Sequence, residues 1–195
     1  MQTLQKIMAE HFSVAEQVRE TMLPAVEEVV HLITQAFDGG GCLYVFGNGG
    51  SAADAQHFAA ELVGRFQVER NPLPAVALST DTSALTCIGN DYSFADVFAR
   101  QVRGLVGPKD VVVGITTSGN SENVVRALMA ARHLGATTIA LMGATGGRAA
   151  EAAQQVLAVP STTTARVQEM HILLIHMICA KIDECACQSD SDSRR

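Results

Sequence analysis

The stretch that decides the fold is CLYVFGNGGSAADAQHFAAELVGRF, residues 42–66. Residues 42–46 read as a short apolar strand, Gly47-Asn48-Gly49-Gly50-Ser51 as a turn, and residues 52–66 as a helix. The glycines permit positive φ and close backbone approach, Ser51 suits the N-cap, and the amide N–H groups left over form an anion cradle. Taken alone, the segment reads equally well as a tight strand-to-helix turn with a capping serine.

Working outward, residues 74–78, 110–116, 137–142 and 155–159 read as further short strands, and residues 94–105, 122–134 and 165–185 as helices. Five apolar strands separated by helices predict an α/β fold with a five-stranded parallel sheet sandwiched by helices, a three-layer flavodoxin-like arrangement. Ahead of the sheet, residues 4–37 carry Val14, Val18, Met22, Val26, Val29, Val30 and Ile33 at helical spacing, with Pro24 dividing the region. The last helix places Met170, Ile172, Leu173, Leu174, Ile175, Met177 and Ile178 all around its axis, so it must be buried on nearly every side. A single sheet cannot cover such a helix, which predicts helix packing between subunits of a homo-oligomer. The expected organisation is an N-terminal helical oligomerisation segment (1–37), the α/β domain (38–187) and a disordered tail (188–195).

A net charge of −6, with no stretch that concentrates Lys and Arg, argues against nucleic acid as a direct ligand. The 5 cysteines form no CxxC pair, which suits free thiols in a reducing compartment and predicts a cytoplasmic protein. The first residues lack the apolar run of a signal peptide, and no segment reaches roughly 18 uninterrupted apolar residues, so no membrane span is expected.

A second strand-to-helix loop, Thr116-Thr117-Ser118-Gly119-Asn120-Ser121, offers four hydroxyls where a lone cap needs one. Hydroxyls and a helix N-terminus bind phosphate with neutral donors, which suits an acidic protein. Neither loop has the Lys of a GxxxxGK[ST] phosphate loop, and the first is not GxGxxG, which counts against triphosphates and dinucleotides. Both loops follow parallel strands, where open α/β sheets place ligands. On the helix after Ser51, Asp54, His57 and Glu61 share a face, and His57 and Glu61 can ligate a metal or pair as base and orienter. By itself that face also reads as ordinary solvated surface. On the apolar last helix the polar exceptions are Gln168, Glu169, His171 and His176, and histidines so placed are more often core residues than catalysts. Asn90-Asp91 suits sugar hydroxyls or, equally, a turn.

Four segments together resemble the sugar isomerase (SIS) domain family and, within it, the phosphoheptose isomerases: FGNGGSAADAQHFAAELVGRF (46–66), IGNDYSFADVFARQV (88–102), GITTSGNSENV (114–124) and ARVQEMHILLIH (165–176). The resemblance spans nearly the whole chain. It implies that Asn48, Gly49, Gly50 and Ser51 contact substrate, that Asn90, Asp91 and Gln168 line the pocket, and that Thr116, Thr117, Ser118 and Ser121 hold the phosphate. It implies Glu61 as general base and His176 as general acid in converting sedoheptulose 7-phosphate to D-glycero-D-manno-heptose 7-phosphate, toward ADP-heptose and the lipopolysaccharide core. It further implies one zinc ion per subunit, held by His57, Glu61, Gln168 and His176, and a homotetramer. The alternative is a non-catalytic SIS adaptor that binds a replication-initiator protein. Such adaptors resemble the enzymes poorly at the catalytic pair, whereas this chain has both Glu61 and His176.

Overall fold

The computed structural model describes residues 2–192. Two helices, α1 (Gln2–Thr21) and α2 (Leu23–Asp38), precede the sheet, joined through Met22, whose backbone stays helical, and the break between them falls just before Pro24 as expected. Then follow β1 (Leu43–Gly47), α3 (Gly50–Val63), β2 (Ala75–Ala77), α4 (Thr82–Asp91), a short 3-10 turn (Phe94–Asp96) and α5 (Val97–Leu105). The chain continues through β3 (Val111–Thr116), α6 (Glu122–His133), β4 (Thr137–Gly143), α7 (Gly147–Ala152), β5 (Gln155–Val159) and α8 (Thr164–Asp192).

The sheet is five-stranded and parallel throughout, in the order β2-β1-β3-β4-β5. The central strands are apolar on both sides because each side chain meets a helix layer: Val111, Val113 and Ile115 join one core cluster, Val112 the other. One layer contains α1, α2, α3 and α8, and the other α4 to α7. Gly114 lets α6 lie close on β3, since a Cβ there would stand 2.9 Å from Val124 Cγ1. With this strand order the chain turns outward in opposite directions from β1 and β3, so the crevice above their carboxyl ends is the natural ligand position.

Three expectations change. The last helix is largely covered within the chain, by α1, α2, α3 and the sheet, so its all-round apolarity does not require a second subunit. Residues 188–192 continue α8 instead of opening a tail, because no proline or glycine interrupts the helix there; residues 193–195 lie outside the described residues. Two helices were not expected from periodicity. α4 buries only Ile88, and α7 is six residues long and entered through glycines at positive φ, so neither carries a long apolar stripe. On α1, Val14 and Val18 face the core while Leu4, Met8 and Phe12 form an exposed stripe at 68%, 50% and 63% exposure.

Candidate active site

β1 and β3 lie side by side, Gly47 opposite Ile115, so the two loops that leave them are neighbours. A reciprocal amide pair joins them. Asn48 Nδ2 donates to Asn123 Oδ1 at 2.9 Å, and Asn123 Nδ2 donates back to Asn48 Oδ1 at 2.8 Å. Asn123 was not singled out from sequence; the available signal was an amide on the inward face of an otherwise apolar helix turn, which needs a partner.

In the second loop Thr116 Oγ1 lies 3.0 Å from Ser121 Oγ and 3.5 Å from Ser118 Oγ, while Thr117 takes part through its carbonyl, which accepts from the Gly143 amide. Gly119, at φ +70°, packs so closely that a Cβ would stand 2.2 Å from the Gly146 carbonyl oxygen. Serine at an N-cap ordinarily accepts from a first-turn amide. Ser121 does not cap α6, and Gly49, at φ +54°, has no side chain with which to cap α3. The amides of Ser51, Ala52 and Ala53 donate within the first turn of α3 and that of Val124 to Asn123 Oδ1, which leaves the amides of Gly50, Glu122 and Asn123 for an anion, beside three converging hydroxyls.

α3 rises from this cradle carrying the reacting groups on one face. Near its start Gln168 of α8 presses so close to Gly50 that a Cβ would stand 2.2 Å from its Nε2. Asp54 is buried next to Gln168, and its Oδ2 has no partner. Burial pushes its carboxyl above the ordinary range, opposed by the Gln168 amide and the His57 ring. One turn higher, His57 Nε2 meets His176 Nε2 at 2.9 Å and Glu61 Oε1 at 3.3 Å. Phe66 stacks on the other side of His176, with centroids 5.3 Å apart. Glu61 keeps 21% of its side chain exposed, and His57 41%, so both reach a ligand. Six residues of helix separate Ser51 from His57, a rise of about 9 Å, the order of a stretched sugar-phosphate chain.

The structure thus gathers His57, Glu61 and His176 at one end and Asn48 to Ser51 with Thr116, Ser118 and Ser121 at the other, Gln168 lying nearer the cradle. Asn90 and Asp91, by contrast, end α4, are exposed, and contact each other at 2.8 Å. Among the described residues no hydrogen bond or ion pair ties them to the site. His171 belongs to the core, fully buried, with no side-chain partner at its ring nitrogens and only the Met142 backbone carbonyl beside it, and burial pushes its pKa down to about 4.

The donors at the upper end match zinc in kind: two imidazole nitrogens and a carboxylate. Neighbouring ligands of a tetrahedral zinc stand about 3.3 Å apart, close to the His57–Glu61 contact and slightly wider than the 2.9 Å between the histidines. No three His, Cys, Asp or Glu residues are already spaced to hold a metal ion among the described residues, so the rings must part slightly to admit one. Among the described residues no hydrogen bond joins Gln168 to any of the three.

A family model described as the SIS domain matches residues 8–143. The chain is 51% identical over 188 residues to a phosphoheptose isomerase of Aquifex aeolicus, covering 96% of this chain and 98% of that one. It superposes on the phosphoheptose isomerase of Neisseria gonorrhoeae with a TM-score of 0.89 and 45% identity, covering 94% of this chain and 98% of that one. A phosphoheptose isomerase from Francisella tularensis gives 0.90 at 36% identity, covering 94% and 100%. These relatives lend no support to the adaptor alternative. Matched along nearly its full length in sequence and in backbone, the chain belongs to the SIS domain family and, within it, to the phosphoheptose isomerases.

Proposed function

We infer that this isomerase interconverts sedoheptulose 7-phosphate and D-glycero-D-manno-heptose 7-phosphate with Glu61 as base and His176 as acid. The observation that carries the assignment of roles is the contact set His176–His57–Glu61, built on the same helix that opens at the hydroxyl-lined cradle. The 7-phosphate sits at the amides of α3 and α6 and the hydroxyls of Thr116, Ser118 and Ser121, with Thr117 at the rim. Asn48, Gly49, Gly50 and Ser51 bound the sugar, and Gln168 meets it between the two ends. Binding the remote phosphate orients the reacting carbons.

Isomerisation needs a proton removed beside the carbonyl, an enediol held, and a proton returned to the neighbouring carbon. Glu61 takes the carbon-bound proton, and the electron pair left behind forms the enediol double bond. His176 donates to the carbonyl oxygen as negative charge collects there. Without a metal ion, two facing lone pairs or two facing N–H groups at 2.9 Å would repel, so one N–H lies in the His57–His176 contact; an ion held by both rings would take its place. That contact keeps one ring a donor and the other an acceptor. Glu61 returns its proton to the former carbonyl carbon while the hydroxyl on the neighbouring carbon gives its proton back to His176 and becomes the new carbonyl, which restores both groups.

His57, Glu61 and His176 would hold zinc, one per subunit, with Gln168 as the fourth ligand; the bound ion supplies Lewis-acid polarisation of the substrate oxygens. Metal analysis of purified protein is expected to find zinc near one equivalent per chain, reduced in His57→Gln. Protein that is free of metal as isolated, and fully active in chelator, would remove zinc from this reading.

Thr116→Val and Ser121→Ala are expected to raise KM for the phosphosugar about tenfold each, one hydrogen bond to a charged group, with kcat changed far less. Equal losses in kcat alone would move the phosphate elsewhere.

The exposed Leu4, Met8 and Phe12 stripe supports a homotetramer assembled through α1, and the free thiols Cys42, Cys87 and Cys179 suit the cytoplasm. Across a subunit boundary Asn90 and Asp91 can still line a pocket. Light scattering is expected to report four chains for the native protein and fewer for Leu4→Glu/Phe12→Glu. A monomeric native protein would refute both statements.

A further inference from the structure

Beneath the reacting groups lies a buried ion pair that the mechanism above does not use. Arg70, in the segment after α3, and Asp183, on α8, each keep only 3% of their side chains exposed. Arg70 Nε donates to Asp183 Oδ1 at 2.7 Å. The rest of the guanidinium turns to the end of α3: Nη2 donates to the Glu61 carbonyl at 2.9 Å and Nη1 to the Leu62 carbonyl at 2.9 Å and the Asn71 carbonyl at 3.1 Å. The second oxygen of Asp183 accepts from the backbone amides of Gln67 at 2.8 Å and Val68 at 3.2 Å. These three donors hold the Asp183 carboxyl below its ordinary range despite burial.

Both ends of the pair therefore reach a reacting group. Arg70 binds the backbone of Glu61 itself, satisfying a carbonyl that the helix end leaves open. Asp183 ties down the two residues that follow Phe66, whose ring lies on His176. Asp183 also stands seven residues beyond His176, two turns along the same side of α8. A pair needed only for stability could be replaced by apolar side chains, because burying two charges costs most of what their attraction returns. Here the guanidinium and the carboxylate together satisfy three carbonyls and two amides.

We propose that Arg70 and Asp183 are positioning residues for the isomerisation: together they fix the Glu61 backbone and the Phe66 ring, and so the separation between base and acid. The proposal rests on Glu61 and His176 as the proton-transfer pair. Misplacing a reacting group by about 1 Å costs about 100-fold in rate, and a fixed guanidinium fork does what a single ammonium cannot.

The test compares wild type with Arg70→Lys, Asp183→Asn and the double variant Arg70→Met/Asp183→Leu, the last keeping the volume filled without charges should Asp183→Asn not fold. Expected in folded protein is a fall in kcat of about 100-fold, with KM for sedoheptulose 7-phosphate within threefold of wild type. Arg70→Lys, which keeps the charge, is expected not to restore kcat. A folded double variant with a kcat within twofold of wild type, whatever its melting temperature, would show that the pair does not position the reacting groups, and would overturn the proposal. Crystal structures of Asp183→Asn and of the double variant read the same question without turnover: Phe66 displaced from the His176 ring supports the proposal, and an unmoved Phe66, Glu61 and His176 refutes it. Should wild type fail to turn over the heptulose, the assigned activity falls, and the crystallographic comparison still decides whether the pair sets this geometry.

Discussion

Glu61→Gln is expected to lower kcat by about 10²–10⁴-fold, the usual worth of one positioned acid or base, while leaving the melting temperature nearly unchanged. The substitution keeps the size of the side chain and its reach to His57, and it removes the carboxylate that accepts a carbon-bound proton. Because the loss falls on the chemical step, kcat and kcat/KM should drop together. His176→Asn should produce a loss of the same order, and the double variant should be little worse than either single one, since both groups act in the same enolisation step. Coupled assays with sedoheptulose 7-phosphate measure all three, and solvent deuterium wash-in at the carbon beside the carbonyl reports the Glu61 step separately. A Glu61→Gln enzyme within threefold of wild type, or one that still exchanges deuterium at the native rate, would remove Glu61 as the base.

The residues that reach from one element to another were harder to read than those that act within one. His57 and Glu61 are one helical turn apart, so their proximity follows from spacing alone. His57 and His176 are 119 positions apart, and only the packing of α3 on α8 puts their nitrogens at 2.9 Å. The two loops were legible because glycines and hydroxyls at strand ends have a local cause. Their joining by Asn48 and Asn123 had no local cause. Arg70 was invisible for a further reason: it sits in a segment with polar neighbours, Glu69 and Asn71, where an arginine reads as solvated surface, yet it keeps 3% of its side chain exposed. The apolar last helix misled in the opposite direction. Its periodicity required cover on every side, and α1 and α2, which the sequence also shows to be amphipathic, supply that cover from the same chain. Among the strands, the five expected segments all appear, and β2, an edge strand with Val76 at 40% exposure, is shorter than its apolar run.

His171 sets the second large effect, on stability toward acid. Its ring is fully buried, no side chain meets either nitrogen, and burial holds its pKa at about 4, against an ordinary value of 6.5; the Met142 backbone carbonyl only partly offsets this. The unfolded chain binds a proton at this imidazole near pH 6.5, whereas the folded chain binds it only near pH 4. Between those values the unfolded state carries more protons, so stability rises with pH across that window and is lost as pH falls through it. A full gap of this size corresponds to about 3 kcal/mol, of which about 2 kcal/mol is already lost at pH 5. Asp183 and Glu169, whose carboxyls are held low by their partners, also lose stability toward acid, so the wild-type profile alone does not isolate the imidazole. His171→Leu does, because it fills a similar volume with no titrating group and no unmet nitrogen. Denaturant unfolding at pH 7 and pH 5 is expected to show wild type losing about 2 kcal/mol more than His171→Leu between the two. The variant should equal or exceed wild type at pH 5. If the two proteins lose stability in parallel, the buried imidazole has a polar partner or an open path to solvent, and the acid sensitivity belongs to the carboxylates alone.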